Sequence, residues 1–426
     1  MHENTLRVMH RWFHRYYTGW RKLRGHLLTL KGGFHANKGF TFLGVGISLA
    51  GCMGPVSLHK AVLNYDETIS RLEREMLLIN IARTHRDIPS HFTVTSNIAA
   101  TFDYQTNAGF VGTIFERAGD INKYALNLGV SVSENPTLGI VPIQGEEFAK
   151  RILTPMDESK FQFLIFQGAP IDMVMRLMAR GIEIQNEDGT FQRFILNWPT
   201  HSNEYEEFRK RALHLTWLNA SRKLFVNSLS FEESISMKLS GPPSASDITK
   251  AHEKGYHWQQ VGENGTYELT TPTTGRVVIT NYDPQTLTNS ERQALNILAA
   301  AKPNNFVFMD IRTGYPGGNY PLFGSIKLRS FNEILDFLAA GIDRTPEFDV
   351  DPDSRTGRVL RNPTSTLAIV IDKPSSPEVL RVSYGGHDYA INNTSWDRDT
   401  FKLLYHLFQM TVTDVSGIGV PITISK

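Results

Sequence analysis

From Leu58 onward, apolar residues recur at alternating intervals of four and three: Leu58, Val62, Tyr65, Ile69, Leu72, Met76 and Ile79. Only an α-helix brings such a series onto one side, because three and four residues bracket its 3.6-residue turn. Asp66, Glu67, Arg71, Glu73, Arg74 and Glu75 fill the other faces, and Pro89 sets a stop soon after. The spacing predicts a helix over 58–83. Its seam could pair with another copy or a partner in a coiled coil, or it could lie on the chain's own core. Leu77, Leu78 and Ile81 widen the apolar face toward the C-terminal end, which suits a core better than a narrow two-helix seam.

The run that precedes this helix, GFTFLGVGISLAG at 39–51, carries no charge. As a helix it would rise about 20 Å, short of the roughly 30 Å hydrocarbon core of a bilayer. Residues 1–51 hold eight Lys/Arg against one acid, Glu3, a net +7; the remainder holds 36 Lys/Arg against 42 Asp/Glu, a net −6. A basic region, a short apolar region and small residues make a secretory signal. Leu49, Ala50, Gly51 and Cys52 resemble the lipobox of bacterial lipoprotein precursors. The resemblance implies cleavage between Gly51 and Cys52, a diacylglyceryl group on the Cys52 thiol, and acylation of the new amine. Two or more acyl chains give a stable anchor. Met53, rather than Asp, after the cysteine implies transfer to the outer membrane, facing the periplasm. A buried cysteine in a core helix is the competing reading, and it leaves the uncharged run and its basic flank unexplained. Thirty-eight residues precede the run, more than a signal needs, so we read the translation start as assigned too early.

Cys52 is the sole cysteine among 426 residues, which excludes an internal disulfide framework and cysteine-rich zinc sites. The mildly acidic remainder excludes nucleic acid as a general partner, since phosphate neutralisation needs clustered Lys/Arg.

Beyond the first helix, HFTVTSNIAATFDYQ and KYALNLGVSVSE read as strands. In the second, Tyr124, Leu126, Leu128, Val130 and Val132 share one face, and small or polar residues share the other. Such alternation could line a membrane barrel, but too few similar strands follow in this chain to close one. Residues 144–228 turn helical. QGEEFAKRIL stops at Thr154-Pro155, ESKFQFLIFQG and PIDMVMRLMARG each end in glycine, and a longer helix carries Asn203 and Glu206 at capping-box spacing. Met173, Met175 and Met178 read as core filling. SGPPSASD at 240–247 reads as a linker between domains 52–240 and 248–426. After it come hairpin-like GTYELTTP and GRVVITNY, helices capped by Thr288/Glu291 and Ser330/Glu333, a buried strand NNFVFMDI, a three-stranded meander over 365–392, a helix capped by Asp397, and a last strand GIGVPITI. Helices and antiparallel strands mixed without regular βαβ alternation predict an α+β fold.

Chemistry-bearing motifs are few. There is no phosphate loop and no GxSxG elbow, and no cofactor is implied. His252 and His257 are five apart rather than the four that a zinc helix needs. Asp349, Asp351 and Asp353 have the alternate spacing of a calcium loop, but Ser354 and Leu360 stand where glycine and a bidentate glutamate belong. His387 and Asp388 follow Gly385-Gly386, where turn chemistry accounts for them.

Two stretches resemble segments of uncharacterised bacterial lipoproteins: Ala61–Thr93, through Leu77, Leu78, Asn80, Ile81, Arg83, Pro89 and Phe92, and Ser133–Met156, through Asn135, Pro136, Thr137, Gln144, Gly145, Glu146 and Phe148. The resemblance covers about a quarter of the mature chain and implies a lipoprotein without implying an activity. The expected function is a lipid-anchored binding or scaffolding component of the cell envelope, contacting an envelope protein or copies of itself through the heptad seam and the small-residue strand face. The alternative is a lipid-tethered periplasmic hydrolase, which would require a cleft with convergent catalytic groups.

Overall fold

The computed structural model describes residues 53–113, 123–143, 145–186, 188–261, 265–373, 380–411 and 422–425. Leu49, Ala50, Gly51 and Cys52 lie outside them, with the whole predicted signal. The fold is α+β. Helix α1 (Met53–His85) covers the predicted heptads; in the turn after it Asp87 takes a left-handed conformation with φ 58°, two residues before Pro89. An antiparallel hairpin follows, β1 (Phe92–Thr113) and β2 (Lys123–Ile143). Three short helices come next: α2 (Glu146–Leu153), α3 (Glu158–Phe166) and α4 (Ile171–Met178). The chain continues through β3 (Ala179–Gln185), β4 (Phe191–Leu196), α5 (Ser202–Ala220), β5 (Phe225–Ser240), α6 (Ala245–Glu253), β6 (His257–Val261), β7 (Thr266–Thr280), α7 (Asn289–Ala300), β8 (Phe306–Ile311), β9 (Leu322–Leu328) and α8 (Phe331–Asp343). An irregular stretch over 344–368 leads to β10 (Ile369–Ile371), β11 (Arg381–Tyr384), β12 (His387–Ile391), α9 (Ser395–Thr411) and β13 (Ile422–Ser425).

A seven-stranded sheet, in the order β4-β3-β9-β8-β7-β5 with β6 also on β7, organises the core. Its alternating residues serve two layers. Val277, Ile279, Val307, Met309 and Ile311 join the main core with α4, α5, α8 and α9, whereas Val278 and Phe308 meet Leu295 and Ala299 of α7 on the other face. The β7–β8 pair is parallel, and α7 supplies the crossover that a parallel pair needs. All eight residues of α4 are buried.

Several expectations are corrected. The sheet takes strands from both sides of 240–247, so this segment connects β5 to α6 within one structure instead of separating two domains. Residues 266–280 form one strand, not a hairpin; β7 passes through Pro272 and Gly275, and the register shift opposite Ser228–Ser230 absorbs the extra residues. Helix α4 ends at Met178, and Gly181 lies in β3. A Cβ at Gly181 would sit 2.4 Å from the Ile195 carbonyl oxygen, so this glycine permits close strand approach rather than a helix cap. Helix α5 starts at Ser202 without the Asn203/Glu206 box, because Glu204 turns to the Leu196 N–H and Glu206 to Lys210. The small C-terminal sheet has β12 at its centre, so it is no meander. The Thr288/Glu291 and Ser330/Glu333 boxes form as read. In α9 the Thr394 hydroxyl accepts from the Asp397 N–H, so Thr394 is the cap.

Candidate interaction surface

The hairpin is held at its base by the residues that carry the lipoprotein resemblance. Leu77, Leu78 and Ile81 bury one side of α1 in the core. On the same turns Asn80, fully buried, accepts from the His91 N–H at 2.7 Å and donates to the His91 carbonyl at 3.0 Å. Arg83 donates to that carbonyl at 2.9 Å. This clip delivers Phe92 into the core, stacked on Phe408 with ring centroids 4.9 Å apart and edge-on to Phe331 and Phe148. Ile143, its partner across the hairpin, is buried too. Gly145, with φ 102°, opens α2, which brings Phe148. Gln144 lies outside the described residues.

Beyond this base the two strands run for 22 and 21 residues, about 70 Å at the usual rise per residue. Their register is continuous apart from one shift at Thr95/Asn97. Among the described residues β1 pairs only with β2, and β2 pairs further only with β13, over 137–140. One edge of β1 and residues 123–136 of β2 are therefore left without a strand. Pairing fixes which residues share a face. One face carries Tyr104, Thr106, Ala108, Phe110 and Gly112 opposite Val132, Val130, Leu128, Leu126 and Tyr124; the other carries Gln105, Asn107, Gly109 and Val111 opposite Ser131, Gly129, Asn127 and Ala125. Asp103, Lys123 and Glu134 are the only charged residues of both strands. The sequence showed two strands of 15 and 12 residues and missed this length. The alternation through Thr106, Ala108 and Phe110 was the signal.

The heptad seam divides. Val62 is 56% exposed and Leu72 is 42% exposed, whereas Tyr65, Ile69 and Met76 are half-buried and Ile79 packs against the core. The side chain of Leu58 lies outside the described residues. The core-facing side of α1 is Leu77, Leu78, Ile81 and Ala82, one step round from the predicted seam.

Groups that could do chemistry are engaged elsewhere. Asp349 accepts from Thr364, and the Arg355 side chain holds the Asp353 carboxyl well below the usual carboxylate range. No three His, Cys, Asp or Glu converge as a metal site among the described residues. His387 pairs with Asp372 at 2.7 Å while Asp388 accepts from Ser383, two separate exposed pairs instead of a triad. His214 is locked between Thr356 and the Gly317 carbonyl, and burial pushes its pKa down. His85 lies between Tyr389 and Asp343. A cleft of about 290 Å³ is lined by Arg180, His201, Glu333 and Asp336. There burial pushes the Asp336 carboxyl up, but Glu333 is committed to Arg180 and to the Ser330 N–H.

One polar cluster is buried and ionic, and it was missed in the sequence. Arg176 of α4 donates to Glu347 at 3.0 Å, to Thr366 at 2.9 Å, and to the carbonyls of Pro363 and Thr364. Glu347 also accepts from the Tyr205 hydroxyl at 2.7 Å. Beside it, Asp172 accepts from Arg209 at 2.9 Å, and Arg209 donates to Asn362. The Arg329 guanidinium caps α4 from the other end, donating to the carbonyls of Arg176, Leu177 and Asn197. Burial pushes its pKa down to about 9; the helix C-terminus and the Phe337 ring, 3.9 Å away, favour its charge. The cluster ties 344–368 to α4 and α5. Asp172 and Arg176, four apart in an otherwise apolar helix, were its sequence signal.

No helix among the described residues is long and apolar enough to cross a membrane. No family model matches the chain, and neither a curated protein nor a solved structure is similar to it.

Proposed function

We propose that this protein is a lipid-anchored component of the bacterial envelope, held through Cys52 at the periplasmic side of the outer membrane, where it acts by binding: it scaffolds an envelope partner or copies of itself. The observation that carries the reading is the hairpin, two strands of more than twenty residues whose outer edges are largely without a strand partner among the described residues although their base is fastened in the core. The exposed Val62 and Leu72 on α1 add apolar contact surface. For the hydrolase alternative, His387 pairs with Asp372 while Ser383 pairs with Asp388, so the hydrogen bonds there do not join histidine to serine.

The anchor is tested by intact mass. Wild-type protein isolated from membranes is expected to begin at Cys52 and to carry acyl mass, whereas Cys52→Ala is expected to retain residues 1–51 and carry none. A wild-type chain of full length without acyl mass would refute the anchor. The binding role is tested on α1. Val62→Asp with Leu72→Asp, both exposed, is expected to shift stability by no more than about 0.5 kcal/mol for each change. The same pair is expected to reduce cross-linked complexes in native membranes. Unchanged complexes would remove α1 from the contact surface.

A further inference from the structure

We infer that hairpins β1–β2 from several copies of this chain join edge to edge and close a transmembrane β-barrel. The lipoprotein reading enters only as the way the copies reach a membrane.

Two strands alone make a marginal unit in water, and long uncharged edges invite pairing. Natural edges are blunted by lysine, proline or short length; the free edge of β1 has Asp103 as its one charge. The two faces add a second requirement. Between Tyr104–Gly112 and Tyr124–Val132 the apolar face has no charge, and the opposite face is small or polar except at Val111. Each segment is nine residues, the length that a tilted strand needs to cross hydrocarbon. Tyr104 stands at one end of this band and Tyr124 at the other, as in the aromatic girdles of outer-membrane barrels. Glu134, the first charge on the apolar face, is opposite Phe102, one step beyond the band.

A peptide added to one edge would leave the apolar face in water. Lipid against that face would leave the edges unpaired in hydrocarbon, where each lost hydrogen bond is costly. A ring of copies satisfies both. Joining β2 of one copy to β1 of the next keeps all neighbours antiparallel and makes the strand number even. The smallest such barrels have eight strands, which implies four copies or more. Among the described residues strand β13 occupies β2 only at 137–140, outside the band, and no other strand takes the pairing edge where the next copy needs it. Counting strands within one chain is what excluded a barrel at the level of sequence.

The test uses the mature chain purified from membranes in mild detergent and added to planar bilayers of phosphatidylethanolamine and phosphatidylglycerol in potassium chloride. Discrete conductance steps are expected. Leu128→Arg, on the apolar face, is expected to lower their frequency by more than about tenfold, and Asn127→Arg, on the polar face, to keep them. Gln105→Lys and Gln105→Glu, also on the polar face, do not depend on a damaged variant, and they are expected to move the cation-to-anion permeability ratio in opposite directions. Wild-type protein that gives no conductance, or Gln105 variants that share one ratio, would overturn the barrel. Acylated protein without conductance overturns the barrel and leaves the anchor standing; conductance from a chain lacking acyl groups does the reverse.

Discussion

Replacing Arg176 with methionine is expected to cost about 3–5 kcal/mol of folding stability, read as a fall in the urea midpoint at neutral pH. Methionine fills much of the same volume, so the loss is electrostatic and not a cavity. Glu347 would keep the Tyr205 hydroxyl and the Thr366 donors but lose its buried cation, and the carbonyls of Pro363 and Thr364 would lose theirs. Removing both charges with Arg176→Met and Glu347→Gln is expected to recover at least about 1 kcal/mol relative to the sum of the single variants, because a buried lone charge is worse than none. Additive single effects would show that the pair is not coupled.

The same pair sets a pH dependence with a definite sign. Burial raises the Glu347 pKa, but the Arg176 guanidinium, the Thr366 N–H and the Tyr205 hydroxyl outweigh it, so the carboxyl lies below its ordinary range. A carboxyl depressed in the folded state contributes stability above its unfolded pKa, near 4.3, and loses it as pH falls through the folded value. Wild-type protein is therefore expected to lose this contribution below about pH 4. In Arg176→Met only the Thr366 and Tyr205 donors are left to oppose burial, so the carboxyl rises relative to wild type and protonation relieves the variant as pH falls. The stability gap between the two is expected to be widest near neutral pH and to narrow toward about pH 4. A gap that stays constant across this range would assign the loss to packing.

The parts of the fold that were legible in the sequence are those set by local chemistry. The heptad spacing found α1, and Thr288/Glu291 and Ser330/Glu333 fixed two helix starts, because each signal lies within one turn of the element it specifies. Glycine misled where its use was tertiary. Gly181 read as a cap and serves strand contact, and Gly275, which read as the start of a separate strand, lies within β7, where a Cβ would meet Asn296 and the Phe231 ring. The seam of α1 was displaced for a similar reason: the core sees Leu77, Leu78 and Ile81, and periodicity alone cannot say which side another element will cover. Most hidden was the partnership of Arg176 with Glu347, 171 residues apart, since nothing local to Glu347 marks it for burial. For the surface proposed to bind, the alternation of β2 was visible. The matching alternation of β1 acquires meaning only from the register that lays Phe110 opposite Leu126 and Tyr104 opposite Val132.

Phe92→Ala is expected to cost about 3–5 kcal/mol, the usual loss for a buried aromatic, and to loosen the hairpin more than the body. Phe92 is the first residue of β1 and the last point at which the arm is sunk in the core, between Phe148 of α2, Phe331 of α8 and Phe408 of α9. Its removal leaves the Asn80 clip to hold the strand alone. Hydrogen exchange is expected to accelerate first at 92–95 and 140–143, where the two strands leave the core, and to stay slow in β8 and β9. Asn80→Leu is expected to act at the same place with a smaller loss of about 1–3 kcal/mol, since it strips the His91 N–H of its acceptor. Phe163→Ala is the contrast: that ring is 50% exposed, and its loss is expected to stay well below that of Phe92. If exchange rises uniformly through the central sheet in Phe92→Ala, the base of the hairpin is part of the global cooperative unit, and the arm has no independent hinge there. If it rises only at the base, the body can keep its fold while the arm changes angle, which copies meeting around a ring would require of each other.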